Sequence, residues 1–326
     1  MRAVTISQFG APEVLTVAEI PDPSPGPQHL LVHVRAFGIN RADALQRAGN
    51  YPPPPGENDI PGLELAGEVI SCDAAVTGFA PGDRVFGLVG SGAYAEQALI
   101  DHRLAVAVPE GWDYAQAAAV IEVFCTAGET LFGRGELQSG ESILVHAGGS
   151  GVGTTAIQMA RHVGATVFFT AGSDAKVDKV MALGADAGIN YKTLDFVKEI
   201  QRLTAGEGVD VIEDFIGADY MKRNIASLKP DGRLVLVGLM GGGRCKFDLA
   251  PMLQRRLCVR GFNLRAQPIE LKQAIVRRFK KRWLPLLVDG TVRAITHAVY
   301  PFAETAEAHR VMEANKNFGK LVVSIE

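Results

Sequence analysis

The fold is decided by the stretch Ser142-Ile143-Leu144-Val145-His146-Ala147-Gly148-Gly149-Ser150-Gly151-Val152-Gly153. Its apolar first part, 142–146, predicts a buried strand, and the residues after the glycines, 154–163, predict a helix. Glycines between a strand and a helix let a pyrophosphate approach the backbone, and the helix N-terminus offers free N–H groups. Ser150 stands at the second glycine of the G-x-G-x-x-G pattern, where its hydroxyl could donate to a phosphate oxygen. The stretch therefore predicts a dinucleotide site, with a glycine-rich turn that binds nothing as the alternative.

The chain on either side of this stretch shows two different patterns. The N-terminal part consists of short β-runs separated by Gly and Pro, which favours an irregular β-barrel-like unit. From Gln116 onward, helical segments alternate with apolar strands at 166–170, 187–191, 209–214 and 233–238. This alternation predicts an α/β fold with a doubly wound parallel sheet of the Rossmann type. The segments after Phe262 are too short for a domain of their own, so we expect them to fold back onto the N-terminal unit.

Composition and charge limit the classes of function. The 326 residues carry a formal charge of -3, with 47% hydrophobic and 21% charged residues, so no general attraction to nucleic acid or anionic lipid is expected. No apolar segment is long enough for a membrane span, and the N-terminus lacks the build of a signal peptide. The four cysteines lie far apart and form no CxxC pair, which favours a reducing, cytoplasmic location.

The choice between the two nicotinamide dinucleotides depends on the end of the second predicted strand. An NAD site usually has an acidic residue there, which binds the ribose 2′-hydroxyl, but this strand ends in Thr170-Ala171-Gly172-Ser173. Ser173, Lys176 and Tyr191 lie where a 2′-phosphate would need donors and positive charge. Each has an ordinary alternative role, but together they predict NADPH, although Asp174 would repel the extra phosphate.

Several motifs distributed along the whole chain carry a family resemblance. They are Asn40-Arg41-Ala42-Asp43, Gln46 to Tyr51, Pro61-Gly62-Leu63-Glu64, His146 to Gly153, Gly238 to Gly243, and Met312 to Lys320. With these motifs the chain resembles the zinc-independent quinone oxidoreductases of the medium-chain dehydrogenase/reductase superfamily, in particular their apoptosis-associated mammalian branch, which shares the serine. The resemblance implies a GroES-like substrate and catalytic domain at 1–121 and 265–326, and a Rossmann domain at 122–264. It also implies NADPH-dependent reduction of quinones and a homodimer.

Zinc ligands are missing from the places where zinc-dependent relatives carry them. Those relatives have a cysteine and a Gly-His-Glu histidine in the N-terminal domain, where this chain reads Asn40 to Asp43 and Gly62-Leu63-Glu64. Without a tetrahedral N/S ligand set we expect no catalytic metal. Reduction of an electron-poor acceptor such as a quinone does not need that Lewis acid.

The resemblance also assigns residues to the site. The glycine loop contributes Ser150, Gly151 and Val152, and the residues implied to line the rest of the nucleotide site are Asn40, Thr126, Gly238, Phe262, Leu264 and Asn317. Tyr51 and Asn40 are the candidate catalytic residues, and the Tyr51 hydroxyl could donate to the acceptor oxygen. Packing of Tyr51 on the neighbouring prolines is an equal alternative. No side chain stands out as an obligate general acid, because a quinol oxygen can take its proton from solvent.

The sequence leaves two alternative functions open and also predicts how the chain assembles. The rivals are an NADPH-dependent enoyl or enone reductase, and a structural or RNA-binding protein on the same fold. The basic run Arg277 to Arg282 is interpreted as the solvated face of an amphipathic helix. In the segment Arg256 to Phe262, apolar residues alternate with charged ones, which predicts a strand at a sheet edge and a homodimer joined there.

Overall fold

The computed structural model describes residues 1–325. The strands, in chain order, are β1 Arg2–Ile6, β2 Leu15–Glu19, β3 His29–Ile39, β4 Glu64–Cys72, β5 Arg84–Leu88, β6 Gln97–Asp101, β7 Ala105–Ala107, β8 Ser142–Val145, β9 Thr166–Ala171, β10 Ala187–Asn190, β11 Val209–Asp214, β12 Leu228–Leu236, β13 Cys258–Gly261, β14 Thr296–Pro301 and β15 Lys320–Ser324. The α-helices are α1 Arg41–Arg47, α2 Tyr114–Ala118, α3 Ile121–Gly128, α4 Gly151–His162, α5 Asp174–Met181, α6 Phe196–Leu203, α7 Ala218–Ser227, α8 Ala250–Gln254, α9 Ile269–Arg282, α10 Leu284–Val288 and α11 Thr305–Glu313. Short 3-10 turns occur at Pro12–Val14, His102–Leu104 and Phe302–Glu304, and a π-helical segment at Glu129–Arg134.

The chain forms two compact units. The first unit consists of Met1–Val123 together with the chain from Arg265 onward, and the second unit is Phe124–Leu264. Within residues 1–325, no helix has both the length and the apolar character needed to cross a membrane.

The first unit is built on a mostly antiparallel sheet. Its strands follow the order β14-β15-β3-β4-β5-β7, with β6 also paired to β3, and β1 and β2 form a separate ladder. Along β3, Leu30, Val32 and Val34 are buried and alternate with partly exposed residues, as expected for a strand with one face on the core. The C-terminal β15 pairs antiparallel with β3, so the end of the chain completes this sheet.

The second unit is a six-stranded parallel sheet in the order β10-β9-β8-β11-β12-β13. The chain runs from β8 outward to β10, returns to β11 beside β8, and then runs outward to β13. Ligands of such sheets bind at the carboxyl ends of the strands where the order reverses, here at the ends of β8 and β11. The predicted doubly wound parallel sheet is confirmed.

Two details differ from the sequence-based expectations or complete them. Helix α4 begins at Gly151 rather than Thr154, because the Ser150 hydroxyl caps it and offsets the low helix propensity of glycine. On α9 the side chains of Ile275 and Phe279 are buried while the basic run is exposed. The predicted solvated helix face is therefore confirmed.

Candidate functional site

The glycine loop joins β8 to α4 through backbone that is packed too closely for larger side chains. A Cβ atom on Gly148 would lie 2.7 Å from the ring of Phe169, and one on Gly153 would lie 2.4 Å from the carbonyl oxygen of Ala147. Ala147 itself has a positive φ of 52°. The first and last glycines of the pattern are thus required by the close contact of the helix with the strands. Ser150, Gly151 and Val152, at the sheet's carboxyl edge, remain partly exposed.

Ser150 has a defined structural part in this loop. Its Oγ accepts a hydrogen bond from the Gly153 amide at 3.0 Å, and its own amide donates to the Ala147 carbonyl at 2.9 Å. The hydroxyl proton is not used in either bond. Ser150 can therefore cap the helix and still donate to a phosphate oxygen at the helix N-terminus.

A buried polar chain fixes the strand ends beneath the loop. His146 Nε2 lies 2.7 Å from Asn224 Oδ1, and Asn224 Nδ2 donates to Asp214 Oδ2 at 3.0 Å. His146 Nδ1 lies 2.9 Å from the Thr170 hydroxyl. Burial lowers the pKa of His146 to about 4, so the ring is neutral, with Nε2–H donating to Asn224 and Nδ1 accepting from Thr170. His146 is the packed strand-end residue that the sequence indicated, and it ties the ends of β8, β9 and β11 together.

The predicted 2′-phosphate residues lie at the ends of β9 and β10. Ser173 caps α5 by accepting from the Lys176 amide at 3.3 Å, and Lys176 is partly exposed one turn into that helix. The Tyr191 hydroxyl packs against Gly172, where an added Cβ atom would lie 2.8 Å from it. Tyr191 is 39% exposed. Ser173 and Tyr191 thus follow the ends of two paired strands, and Lys176 lies in the first turn of α5.

Asp174, the residue that opposed the NADPH prediction, has a specific partner. Its Oδ1 accepts from Asn190 Nδ2 at 2.8 Å, and Asn190 is buried at the end of β10. The carboxylate is thus used in a tie between α5 and β10. No local pattern predicts this pairing, because the two residues come together only when β9 and β10 pair.

The remaining predicted residues of the second unit are Thr126, Gly238, Phe262 and Leu264. Thr126 is buried on α3, and Gly238 follows β12 with its amide 3.4 Å from the Asp214 carbonyl oxygen. Phe262 and Leu264 are buried after β13, and the Arg134 guanidinium lies 5.7 Å from the centre of the Phe262 ring. Gly238 is therefore placed at the carboxyl end of β11, beside the glycine loop's own strand.

In the first unit, Asn40 is held from three sides. Its Nδ2 donates to Glu64 Oε1 at 2.9 Å, and its Oδ1 accepts from Lys320 Nζ at 2.7 Å. The backbone amide of Asn40 donates to Asp43 Oδ2 at 2.8 Å. Lys320 also forms a 2.6 Å ion pair with Glu64, with the two side chains 3% and 0% exposed. The carboxamide of Asn40 therefore has one fixed orientation.

A second hydrogen-bonded chain supports Asp43. The Tyr94 hydroxyl lies 2.9 Å from Asp43 Oδ2 and 3.0 Å from His309 Nε2, and His309 Nδ1 lies 3.1 Å from Arg47 Nη1. Burial lowers the pKa of His309 to about 3, so its ring is neutral, accepts from Arg47 and donates to Tyr94. Burial raises the pKa of Asp43 to about 6. This chain holds the start of α1, and with it Asn40, in place.

Glu122 belongs to the same cluster and was missed by the sequence analysis. Its amide donates to Glu64 Oε2 at 3.0 Å. Burial, and then the charge of Glu64, raise the pKa of the partly exposed Glu122 carboxyl to about 8, so it carries a proton at neutral pH. A lone acid within the apolar run 117–125 was the available signal.

Tyr51 and Asn317 lie elsewhere in the first unit. The partly buried Tyr51 ring lies under a cation, the guanidinium of Arg265, whose central carbon is 5.3 Å from the ring centre. Asn317 Nδ2 donates to the carbonyl of Gly319 at 2.7 Å, next to Lys320. Arg265 was also missed by the sequence analysis, because a single arginine between two segments carries no pattern.

The two places where zinc-dependent relatives carry ligands hold a different set of groups. Asn40 and Glu64 are hydrogen-bonded to each other and to Lys320, so an ammonium already neutralises the carboxylate. Across residues 1–325, no group of three or more His, Cys, Asp and Glu side chains is arranged to hold a metal ion. This donor set does not fit zinc.

Comparison with known proteins identifies the family. A model described as "Alcohol dehydrogenase GroES-like domain" matches residues 26–110, and one described as "Zinc-binding dehydrogenase" matches residues 151–281. The human synaptic vesicle membrane protein VAT-1 homolog is 32% identical over 99% of this chain and 86% of its own length. The chain belongs to the medium-chain dehydrogenase/reductase superfamily. The rat quinone oxidoreductase is 30% identical to this chain, and the match covers 99% of this chain and 97% of the rat protein.

Solved structures show the same fold over the whole chain. Escherichia coli quinone oxidoreductase complexed with NADPH has a TM-score of 0.91 at 28% identity, covering 99% and 100% of the two chains. An NAD-dependent alcohol dehydrogenase has a TM-score of 0.88 at 31% identity, covering 100% of both. The CurK enoyl reductase has a TM-score of 0.88 at 28% identity, covering 100% and 99%. This protein is accordingly an oxidoreductase of the superfamily.

Proposed function

We propose that this protein reduces quinones with NADPH by hydride transfer and does so without zinc. The cofactor choice is supported by the end of β9, which lacks an acid, by Ser173 and Tyr191, which follow the paired strands β9 and β10, and by Lys176 in the first turn of α5. The carboxylate that follows Ser173, Asp174, accepts from Asn190 through Oδ1. A 2′-phosphate would find donors and positive charge there, whereas the strand end carries no acidic residue of the kind that usually accepts from a ribose 2′-hydroxyl.

The relatives support this proposal without being uniform. Quinone oxidoreductases stand among the similar sequences and structures, and the E. coli structure is complexed with NADPH. One neighbour of comparable likeness is described as NAD-dependent, so the cofactor choice depends on the strand-end residues and not on likeness alone.

Under this proposal, different residues would bind the cofactor and the acceptor. Ser150 and the amides of Gly151 and Val152 would hold the pyrophosphate at the start of α4. A bound NADPH supplies the hydride. Asn40, fixed by Glu64 and Lys320, would border the nicotinamide, and the Tyr51 hydroxyl would orient the acceptor.

Reduction of an enone or a 2-enoyl thioester is the second candidate. An enoyl reductase is among the similar structures, and a polyketide synthase component from Streptomyces venezuelae is 34% identical over 97% of this chain, which corresponds to only 8% of that protein. Both reactions need the same hydride donor, and they differ in the acceptor bond that takes the hydride.

We also propose a homodimer joined through β13. This strand forms one edge of the parallel sheet, and its side chains are only partly buried, so its open edge can pair with a second copy about a two-fold axis.

The cofactor proposal is tested with Lys176→Ala. Losing one charged contact to the 2′-phosphate should weaken NADPH binding by roughly 10-fold or more and leave NADH nearly unchanged. Nucleotide fluorescence titrations measure both affinities, and Lys179→Ala on the same helix is the matched control. An equal loss for both nucleotides would refute the assignment of the 2′-phosphate.

A further inference from the structure

Arg265 is a buried cation with two unused hydrogen-bonding groups. The residue is 6% exposed, and its Nε donates to the Gly90 carbonyl at 2.7 Å. Both terminal nitrogens, Nη1 and Nη2, are buried and have no hydrogen-bond partner within residues 1–325. Buried polar groups are almost always paired, and charged ones most strictly, so two orphaned nitrogens on one guanidinium indicate a bound group that completes them.

No side chain of the described residues is hydrogen-bonded to the terminal nitrogens of Arg265. Arg265 forms no ion pair within the described part of the chain, although Tyr51, Asp43, Glu57 and Glu122 lie close enough to act on it electrostatically. Burial lowers the pKa of Arg265, and the nearby carboxylates act in the opposite direction. Glu122 is protonated at neutral pH because its own pKa is about 8, so it adds no full negative charge. Two unpaired N–H donors on a buried cation favour an oxygen acceptor that is negative or becomes negative.

The contacts of the Arg265 guanidinium leave one of its edges without a hydrogen-bond partner among the described residues. Its central carbon lies 5.3 Å from the centre of the Tyr51 ring, and its Nε donates to the Gly90 carbonyl. The edge that carries Nη1 and Nη2 is the edge that is left. Two parallel N–H groups at such an edge match planar oxygen-bearing groups, which they can bind with two hydrogen bonds.

We propose that Arg265, beside Tyr51, binds the acceptor oxygen that becomes negatively charged during reduction, and that it is a catalytic residue of the reductase. This inference rests on the proposed function. Hydride brings two electrons to the conjugated acceptor, the carbonyl π pair moves onto the oxygen, and the oxygen then takes a proton from water. Arg265 keeps its own protons and stabilises the oxygen while it is charged. The same geometry predicts binding of small planar carboxylates.

Direct binding tests the site without any turnover. Benzoate, titrated calorimetrically into the nucleotide-free protein, should bind the unmodified chain at least about 10-fold more tightly than it binds Arg265→Gln, since a charged pair of hydrogen bonds is lost. The control is Arg84→Gln, because Arg84 also lies over a tyrosine, 4.6 Å from the Tyr114 ring centre, but donates to the Trp112 carbonyl at 2.6 Å. This control should bind benzoate like the unmodified protein. Equal benzoate affinity in Arg265→Gln and the unmodified chain would overturn the proposal.

Kinetics separates the acceptor role from a nucleotide role. Arg265→Gln should lower kcat for quinone reduction by about 100-fold, the effect of removing one oxyanion donor, while the Kd of NADPH changes less than about 2-fold. Arg265→Lys, which retains the charge, should recover part of kcat and also serves if the Gln variant does not fold. A parallel loss of NADPH affinity would assign Arg265 to the nucleotide and contradict the inference. If the unmodified protein reduces no quinone but binds benzoate through Arg265, the proposed function fails while the anion site stands.

Discussion

Replacing Lys320 with methionine removes the centre of the buried polar cluster. Lys320 Nζ donates to Glu64 Oε1 at 2.6 Å, to Asn40 Oδ1 at 2.7 Å and to the Ile39 carbonyl at 2.9 Å. Methionine fills a similar volume but leaves the fully buried Glu64 without its cation. Removing one partner of a buried ion pair destabilises a protein by roughly 3–5 kcal/mol. We expect Lys320→Met to lose that much of the free energy of unfolding of the first unit.

The assay follows from the position of the tryptophans. The chain has two, Trp112 and Trp283, and both lie buried in the first unit, so tryptophan fluorescence during urea unfolding reports on that unit. The double variant Lys320→Met/Glu64→Gln carries no buried charge at the pair and should recover at least half of the loss. Arg256→Met is the control, because the Arg256–Asp231 pair is 64% and 65% exposed and should contribute about 1 kcal/mol or less.

The reasoning about this pair fails under two results. One is a loss of less than about 1 kcal/mol in Lys320→Met, which would mean that water or another group replaces the ammonium. The other is a double variant that loses as much free energy of unfolding as Lys320→Met and Glu64→Gln lose together when each is measured alone. Residues in contact should instead be coupled.

Two further predictions concern the second unit. Burial raises the pKa of Glu213 to about 8 from its ordinary 4.5, so its folded form keeps a proton that the unfolded chain releases. The free energy of unfolding should therefore fall as pH rises from about 4.5 to 8, by at most roughly 5 kcal/mol, and Glu213→Gln should remove that part of the slope in unfolding followed by circular dichroism; an unchanged slope would contradict the shift. Val259→Pro should remove a backbone donor from β13 and produce a monomer by light scattering while nucleotide binding persists; a monomeric unmodified protein at micromolar concentration would rule out the β13 interface.

The sequence predicted those parts of the fold that depend on local pattern. The segment 209–214 became a strand with the predicted bounds although three of its six residues are acidic, and its apolar residues Val209, Val211 and Ile212 are buried. The start of α4 was misplaced by three residues, because the capping bond of Ser150 outweighs the low propensity of the glycines. Local pattern thus predicts that an element exists better than it predicts where the element ends.

The candidate site was predictable only where one segment carries the whole signal. The glycine loop and His146 lie within a dozen residues of each other, and both could be interpreted from that segment. The Lys320–Glu64 pair joins residues 256 positions apart, and no local pattern announces it. The proton on Glu122 and the unpaired nitrogens of Arg265 arise from burial, which depends on how distant segments pack.

The central claim is tested most directly by steady-state oxidation of the two nucleotides by two acceptors. With the purified protein, oxidation of NADPH and of NADH is followed at 340 nm in the presence of a quinone and, separately, of a 2-enoyl thioester. We predict that kcat/KM is highest for NADPH with the quinone, by about 10-fold or more over each alternative, and unchanged after treatment with EDTA. Faster turnover of the thioester, a preference for NADH, or loss of activity with EDTA would each contradict the account.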